Sequence, residues 1–337
     1  MSSIEVVGLG ALNIDNIHKV ESILGDGETA VNREQVERIL GYGEAVVNRV
    51  GAFPGGSAAN TIYGLAKLGV STGFIGAVGD DSEGKILIND FQQARVDTSQ
   101  IGVKPGARTG SALCLSDKLN FRSIHVKPGA NSLLAMDDLD LDYINQATML
   151  HVSSFVDERQ FKMIPELIER LESSIKLSFA PGALFAAREL EALSPILSRT
   201  HALFINENEI CQLTGEGLKA GAERCLTQGC HMVVVTLGEG ASYKTAMATS
   251  YIRTVEHEYA VKPANRKIIS DLDTIGAGDA FATGFLYGLL KGKGLEECGY
   301  LGDIVARFSI AKPGARQGLP NLSELAQRYQ ELYNKQL

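Results

Sequence analysis

No two cysteines in this chain share the C-x-x-C spacing of a zinc or redox site. The five present, Cys114, Cys211, Cys225, Cys230 and Cys298, are odd in number and scattered. That pattern excludes a disulfide framework and a structural zinc, and the thiols read as buried and free. The six histidines form no H-E-x-x-H or other close ligand pair, so a histidine-built metal centre is also excluded. Positive charge is scarce: 32 Lys and Arg stand against 40 Asp and Glu, a formal charge of -8. Without a general basic face, a nucleic-acid backbone is not an expected partner. No uncharged apolar run reaches the ~18 residues a membrane-spanning helix needs. The opening "MSSIEVVGLGAL" lacks the basic stretch and apolar core of a secretory leader, and the expectation is a cytoplasmic protein.

What is present is enough for a large core: 337 residues, 45% of them hydrophobic, sufficient for one large domain or two ordinary ones. Short β-branched runs alternate with amphipathic segments: "IEVVGLG", "SAANTIYGLAKLG", "STGFIGAVG", "SEGKILINDFQQA". The alternation resumes in "ATMLHVSS", "FKMIPELIERLES", "IKLSFA", "HALFIN" and "HMVVVTLG". Apolar residues in these runs are too continuous for a face open to water, which predicts a mostly parallel sheet between helical layers.

Two stretches break the rhythm. Residues 16–54 are polar and carry a near repeat, "GDGETAVNR" at Gly25 and "GYGEAVVNR" at Gly41, with a helix-like "EQVERIL" between. Residues 104–128 read as a hairpin with "SDKLN" near its turn. Two extended excursions from one sheet can pair as a small β layer that closes over a ligand, and surface loops without a gating role are the alternative.

Two phosphate motifs fail on inspection. "GDDSEGKI" has P-loop spacing, but Ile86 replaces the magnesium-binding hydroxyl and Asp80, Asp81 and Glu83 would repel a triphosphate. Ser82 as a helix N-cap is the simpler account. "GLGALN" has two glycines of a dinucleotide fingerprint, with Asn13 in place of the third. The informative stretch is "DTIGAGDAF", Asp273 to Phe281, followed by an apolar helical stripe through Phe281, Phe285 and Leu289. Small residues at Gly276, Ala277 and Gly278 let an anion approach backbone N–H groups at a helix start. The loop nonetheless ends in an anion, Asp279. Alone, Asp279 reads more readily as an N-cap. Beside an anion pocket, its carboxylate could take the proton of a hydroxyl that attacks a phosphoryl group.

These residues resemble the ribokinase-like (PfkB) carbohydrate and nucleoside kinases over nearly the whole chain. The D-T-x-G-A-G-D pattern stands intact at Asp273–Asp279, and "PGGSAANTIYGLAKLG" with "GFIGAVGDDSEGKIL" matches the N-terminal pattern. The resemblance implies a three-layer αβα fold with a mostly parallel central sheet and a small β lid. The large nucleotide-binding and catalytic domain would comprise 1–15, 55–103 and 129–337, and the lid 16–54 and 104–128.

The resemblance further implies Asp279 as catalytic base, with Gly276, Ala277 and Gly278 as its anion hole. Asn13, Asp15, Gly55, Gly56 and Asn60 would hold the acceptor. Asn206, Thr236 and Gly238 would meet the nucleotide, and Glu209 would organise Mg²⁺ through water. Read alone, "NENE" is a helix N-cap with an acidic first turn, and Gly238 with Gly240 a hairpin turn. Asp273 and the loop "AKPGARQG" match a monovalent-cation site, which makes K⁺ a candidate beside the implied ATP and Mg²⁺. The implied reaction moves the γ-phosphoryl group to a hydroxymethyl group of an adenosine-like nucleoside. A sugar such as ribose, fructose or 2-keto-3-deoxygluconate is the alternative, and a catalytically silent ligand sensor the reading from another class. Phe53 and Phe121 are candidates to stack on a base. The lid's exposed edges could pair two protomers into a homodimer.

Overall fold

A computed structural model describes residues 4–20, 27–30, 48–117, 122–243, 246–262 and 273–337. The helix expected at "EQVERIL", most of the repeated block, the tip of the 104–128 hairpin and Phe121 lie outside the described residues. The described strands, numbered along the chain, are β1 (Val6–Leu9), β2 (Asn13–Lys19), β3 (Gly27–Ala30), β4 (Asn48–Gly55), β5 (Thr72–Gly79), β6 (Ile101–Lys104) and β7 (Gly110–Ser116). They continue as β8 (Arg122–Lys127), β9 (Met149–Ser153), β10 (Lys176–Ala180), β11 (Thr200–Asn206), β12 (Met232–Tyr243), β13 (Ala246–Thr254) and β14 (Glu258–Val261).

The larger sheet runs β14-β13-β12-β11-β10-β9-β1-β5-β6, parallel from β12 to β6 and closed at its other edge by antiparallel β13 and β14. Its apolar runs are continuous because successive side chains feed two different cores. Val7, Leu9, Ile75, Leu150, Phe179 and Val235 face one helical layer. Val6, Phe74, Met149, Phe204, Val234 and Ile252 face the other. A period of two with both faces covered is the physical signature of a three-layer arrangement.

The smaller sheet, the lid of this fold, runs β3-β8-β7-β2-β4. It is mixed: β7 pairs antiparallel with β8 and β2 with β4, while β2 with β7 and β3 with β8 are parallel. Because β1 ends at Leu9 and β2 begins at Asn13, only Gly10, Ala11 and Leu12 carry the chain from the large sheet into the lid. Ile17, Ala112, Cys114 and Val126 of the lid pack with Ile275 and Ala315, so the lid rests on the loops that carry Asp273–Asp279 and "PGARQG".

Three expectations need correction. Asp81, in extended conformation, caps the helix Ser82–Gln93 through Gly84 N–H at 2.9 Å, and Ser82 is already inside the helix. The helix Ala277–Leu290 buries every residue from Ala280 to Gly288, not one stripe, because the helices Ser57–Lys67 and Leu295–Ser309 both pack against it. Four cysteines are buried, but Cys211 is exposed on the helix Glu207–Thr214. Among the described residues no helix is long and apolar enough to cross a membrane.

Candidate active site

The loop before the helix Ala277–Leu290 turns through Gly276 at φ 73°, a left-handed conformation. A Cβ there would lie 2.4 Å from Ala315 Cβ, so glycine is required both by conformation and by the closeness of the second loop. Ala277 N–H closes the turn onto the Thr274 carbonyl at 3.2 Å. The helix has no side-chain cap, and Asp279 is its third residue. The N-cap account of Asp279 therefore fails: its carboxylate points to another helix.

That other helix is Ser57–Lys67. Ser57 Oγ donates to Asp279 Oδ1 at 2.7 Å and Asn60 Nδ2 to Oδ2 at 2.9 Å. Thr61 and Thr283 hydroxyls donate to the Asp279 carbonyl at 3.3 and 2.9 Å, which fixes the backbone beneath. Desolvation pushes the Asp279 carboxyl up to about 6, although Asn60, Ser57, Arg316 and Arg122 all favour its anion.

Asp15 lies next to it on β2. Residue 55, opposite Asn13 in register and diagonal to Asp15, leaves no room for a side chain: a Cβ there would stand 2.0 Å from Asp15 Oδ2. Gly56, at φ 104°, starts the helix that carries Ser57 and Asn60. Asn13 Oδ1 accepts from Asn131 Nδ2 at 3.0 Å, and Asn131 also bonds Leu12 N–H and C=O, tying the acceptor strand to the "PGAN" turn. Asp15 is 8% exposed, and burial, with the charges of Asp279 and Asp273 added, raises its carboxyl to about 7 against the pull of Arg316.

The folded-state value of Asp15 thus exceeds its ordinary 3.8. Folding favours the protonated form, so its stabilisation is complete below about pH 4 and is lost as pH rises through about 7. Asp15→Asn should raise the thermal midpoint by about 3 °C at about pH 8 and leave it unchanged at about pH 4. Calorimetry at the two pH values checks this, and equal gains at both would refute it.

On the opposite side, Asn206 ends β11 and caps the helix Glu207–Thr214 in a reciprocal box: Glu209 N–H donates to Asn206 Oδ1 at 2.8 Å, Asn206 N–H to Glu209 Oε2 at 3.0 Å. The cap read from "NENE" is real, and it fixes the Glu209 carboxylate against the Asn206 N–H. Desolvation first, and the Asp279 charge as well, raise the Glu209 carboxyl. Thr236 pairs in register with Asn206, the last pair of parallel β11 and β12 and the carboxyl end of β11, the end of the strands where open α/β sheets bind ligands. Gly238 and Gly240 both have positive φ, in an irregular part of β12 rather than in the hairpin turn. Asp273 braces the two loops, accepting from Ile275 N–H and Gly314 N–H at 3.0 Å each. Phe53 packs against Gly314 and the lid cluster.

A profile of the pfkB family carbohydrate kinases matches residues 4–322. The chain belongs to this family. An uncharacterized sugar kinase of Archaeoglobus fulgidus is 39% identical to it over 258 residues, 76% of this chain and 98% of the relative. Ribokinase of Staphylococcus aureus is 27% identical over 330 residues, 96% and 99% of the two chains. The solved structure of adenosine kinase from Sinorhizobium meliloti shares the fold with a TM-score of 0.84 at 23% identity, over 97% of this chain and 99% of that one. PfkB kinases are phosphotransferases with alcohol acceptors, and this chain is a sugar or nucleoside kinase of that kind. Kinases of this family use ATP with Mg²⁺.

The PfkB motifs did not single out four residues that the fold brings here. Ser57 lies inside the quoted "PGGSAAN", and Asn131 inside "PGAN". Arg122, on β8 of the lid, donates to the Thr274 carbonyl at 2.7 Å, and its charge acts on both Asp279 and Glu209. Arg316, in "AKPGARQG", is 2% exposed, and only its burial beside these carboxylates distinguishes it from a surface arginine.

Proposed function

We propose that Asp279 takes the proton of a primary hydroxyl while the backbone around Gly276, Ala277 and Gly278 receives the migrating phosphoryl group. The carrying observation is the pairing of Asp279 with Ser57 and Asn60 at the unpaired amides of a helix start. Both carboxylate oxygens are aimed, yet the carboxyl value of about 6 leaves the group ionised and basic near neutrality. Because Ala277 N–H closes the turn, the remaining first-turn amides supply most of the anion's donors. Arg122, from the lid, adds a positive charge that acts on both Asp279 and Glu209 and would favour the phosphoryl group's negative charge.

Glu209 and Asn206 fit a Mg²⁺ held mainly by phosphates and water. They offer one oriented carboxylate, and among the described residues no cluster of three or more His, Cys, Asp or Glu could hold a metal. Bound with ATP, Mg²⁺ neutralises phosphate charge. Thr236 and Gly238, where β12 leaves its pairing with β11, would line the nucleotide. Asp273, with both oxygens turned to the loops, would be the side chain beside a K⁺ ion.

Asn13, Asp15, Gly55, Gly56 and Asn60 would hold the acceptor. Asp15 and Asp279 together repel a sugar acid, which favours a neutral polyol, a nucleoside or a sugar such as ribose or fructose, over 2-keto-3-deoxygluconate. Phe53 is occupied by lid packing and gives no support to base stacking. A Mg-ATP assay with adenosine, inosine, cytidine, ribose, fructose and 2-keto-3-deoxygluconate, with and without K⁺, tests this reading. Turnover is expected with a neutral acceptor, and a preference for the acid would overturn the assignment. The rate should fall about tenfold per pH unit below about pH 6, as Asp279 becomes protonated. A pH-independent rate down to about pH 5 would exclude a base with that value.

A further inference from the structure

Asn60 can point either end of its amide at Asp279. Donating Nδ2 stabilises the carboxylate; presenting Oδ1 would repel it. The oxygen end meets Arg316, which no motif had distinguished. Its Nε donates to Asn60 Oδ1 at 2.9 Å, Nη2 to the Gly55 carbonyl at 3.1 Å, and Nη1 to Asp90 Oδ2. The guanidinium lies 4.9 Å from the Phe91 ring centre and 5.2 Å from that of Tyr63, and is almost fully buried. With all three edges of the fork engaged, it has one orientation available.

We propose that Arg316 is a positioning residue: by holding Asn60 Oδ1 it locks the Asn60 amide so that Nδ2 faces Asp279, and by holding the Gly55 carbonyl it registers the acceptor strand against the base. A flipped Asn60 would set its NH₂ against the guanidinium and its oxygen against a carboxylate, two repulsions in place of two hydrogen bonds. The neighbouring Ala315 packs on Gly276, so one short segment sets both the anion loop and the base's orienting amide. Asp279 is faced by Asp15 and Glu209, which oppose its ionisation, and by Arg122 and Arg316, which favour it.

This inference rests on Asp279 as the base, and its test has a readout that does not need turnover. In protein labelled with ¹³C at aspartate carboxyls, the Asp279 signal is assigned by its loss in Asp279→Asn and followed through a pH titration. Arg316→Lys keeps the charge but places a methylene where Nε donates to Asn60. The Asp279 midpoint should rise by about half to one unit and kcat fall by about tenfold, with Mg-ATP binding retained. Asn60→Ala should raise the midpoint alike, and in the double variant of Asn60→Ala with Arg316→Lys the midpoint should rise no further than in Asn60→Ala alone, while the rate falls further through the freed Gly55 carbonyl. Arg316→Met, which also removes the charge, should raise the midpoint further. An unchanged midpoint and rate in Arg316→Lys, or midpoint shifts that add in the double variant, would overturn the positioning role. A rate untouched by Asp279→Asn would instead sink the base assignment and leave the titration to decide Arg316.

Discussion

Asp279→Asn is expected to lower kcat by about 10³-fold while leaving acceptor and Mg-ATP binding within a few-fold of wild type. The substitution is close to isosteric. With Asn60 pinned by Arg316, the new amide can turn its oxygen to Asn60 Nδ2 and its NH₂ to the Ser57 hydroxyl, so both contacts survive in altered polarity. What disappears is the capacity to accept a proton from the attacking hydroxyl. A carboxyl raised from 3.8 to about 6 is also one whose ionised form the fold disfavours. The variant should therefore be no less stable at neutral pH, as expected when a strained functional group is neutralised. Calorimetric titration of acceptor beside steady-state kinetics separates the two effects. A kcat within tenfold of wild type would remove Asp279 from the chemistry.

Gly55→Ala is expected to raise the acceptor KM by about 100-fold or more and to destabilise the protein by about 1–3 kcal/mol, with Mg-ATP affinity unchanged. The added Cβ would stand 2.0, 2.3 and 2.5 Å from Asp15 Oδ2, Cγ and Oδ1. Nothing in that overlap can yield cheaply. Asp15 belongs to a paired strand, Asn13 opposite Gly55 in register, and the Gly55 carbonyl is held by Arg316. The carboxylate must swing away, and the acceptor loses the group that would receive its hydroxyls. The nucleotide side, around Asn206, Glu209 and Thr236, lies on different strands and should not notice. An unaltered acceptor KM would place the acceptor elsewhere.

Much of this site can be read along the chain because its parts are local. Asp273–Asp279 is one turn, Asn206 and Glu209 one helix cap, and Gly55, Gly56, Ser57 and Asn60 one helix start; such units carry their spacing wherever they are folded. Even locally there were limits. Ser82 and Asp81 are adjacent candidates for one cap, and only the extended backbone at Asp81 decides between them. The stripe Phe281, Phe285, Leu289 gave the orientation of the helix Ala277–Leu290 but not its complete burial. Its other faces carry Ala, Gly and Thr, which are neutral in a periodicity and small enough for a second helix to cover.

Arg122, Asn131 and Arg316 were hidden for a different reason. An arginine or asparagine acquires a role from what it meets, and these meet partners 152, 119 and 256 residues away. By themselves the residues determined the alternation of strands and helices, the two cores, the glycine loop and its aspartate, because these follow from periodicity and from backbone room that only certain side chains leave. The tertiary structure alone decided that Asp279 faces Ser57 and Asn60 rather than capping its own helix, and that Arg316 sets the Asn60 amide. Hydrogen-bond direction depends on donors and acceptors converging in space, and separation along the chain does not encode it.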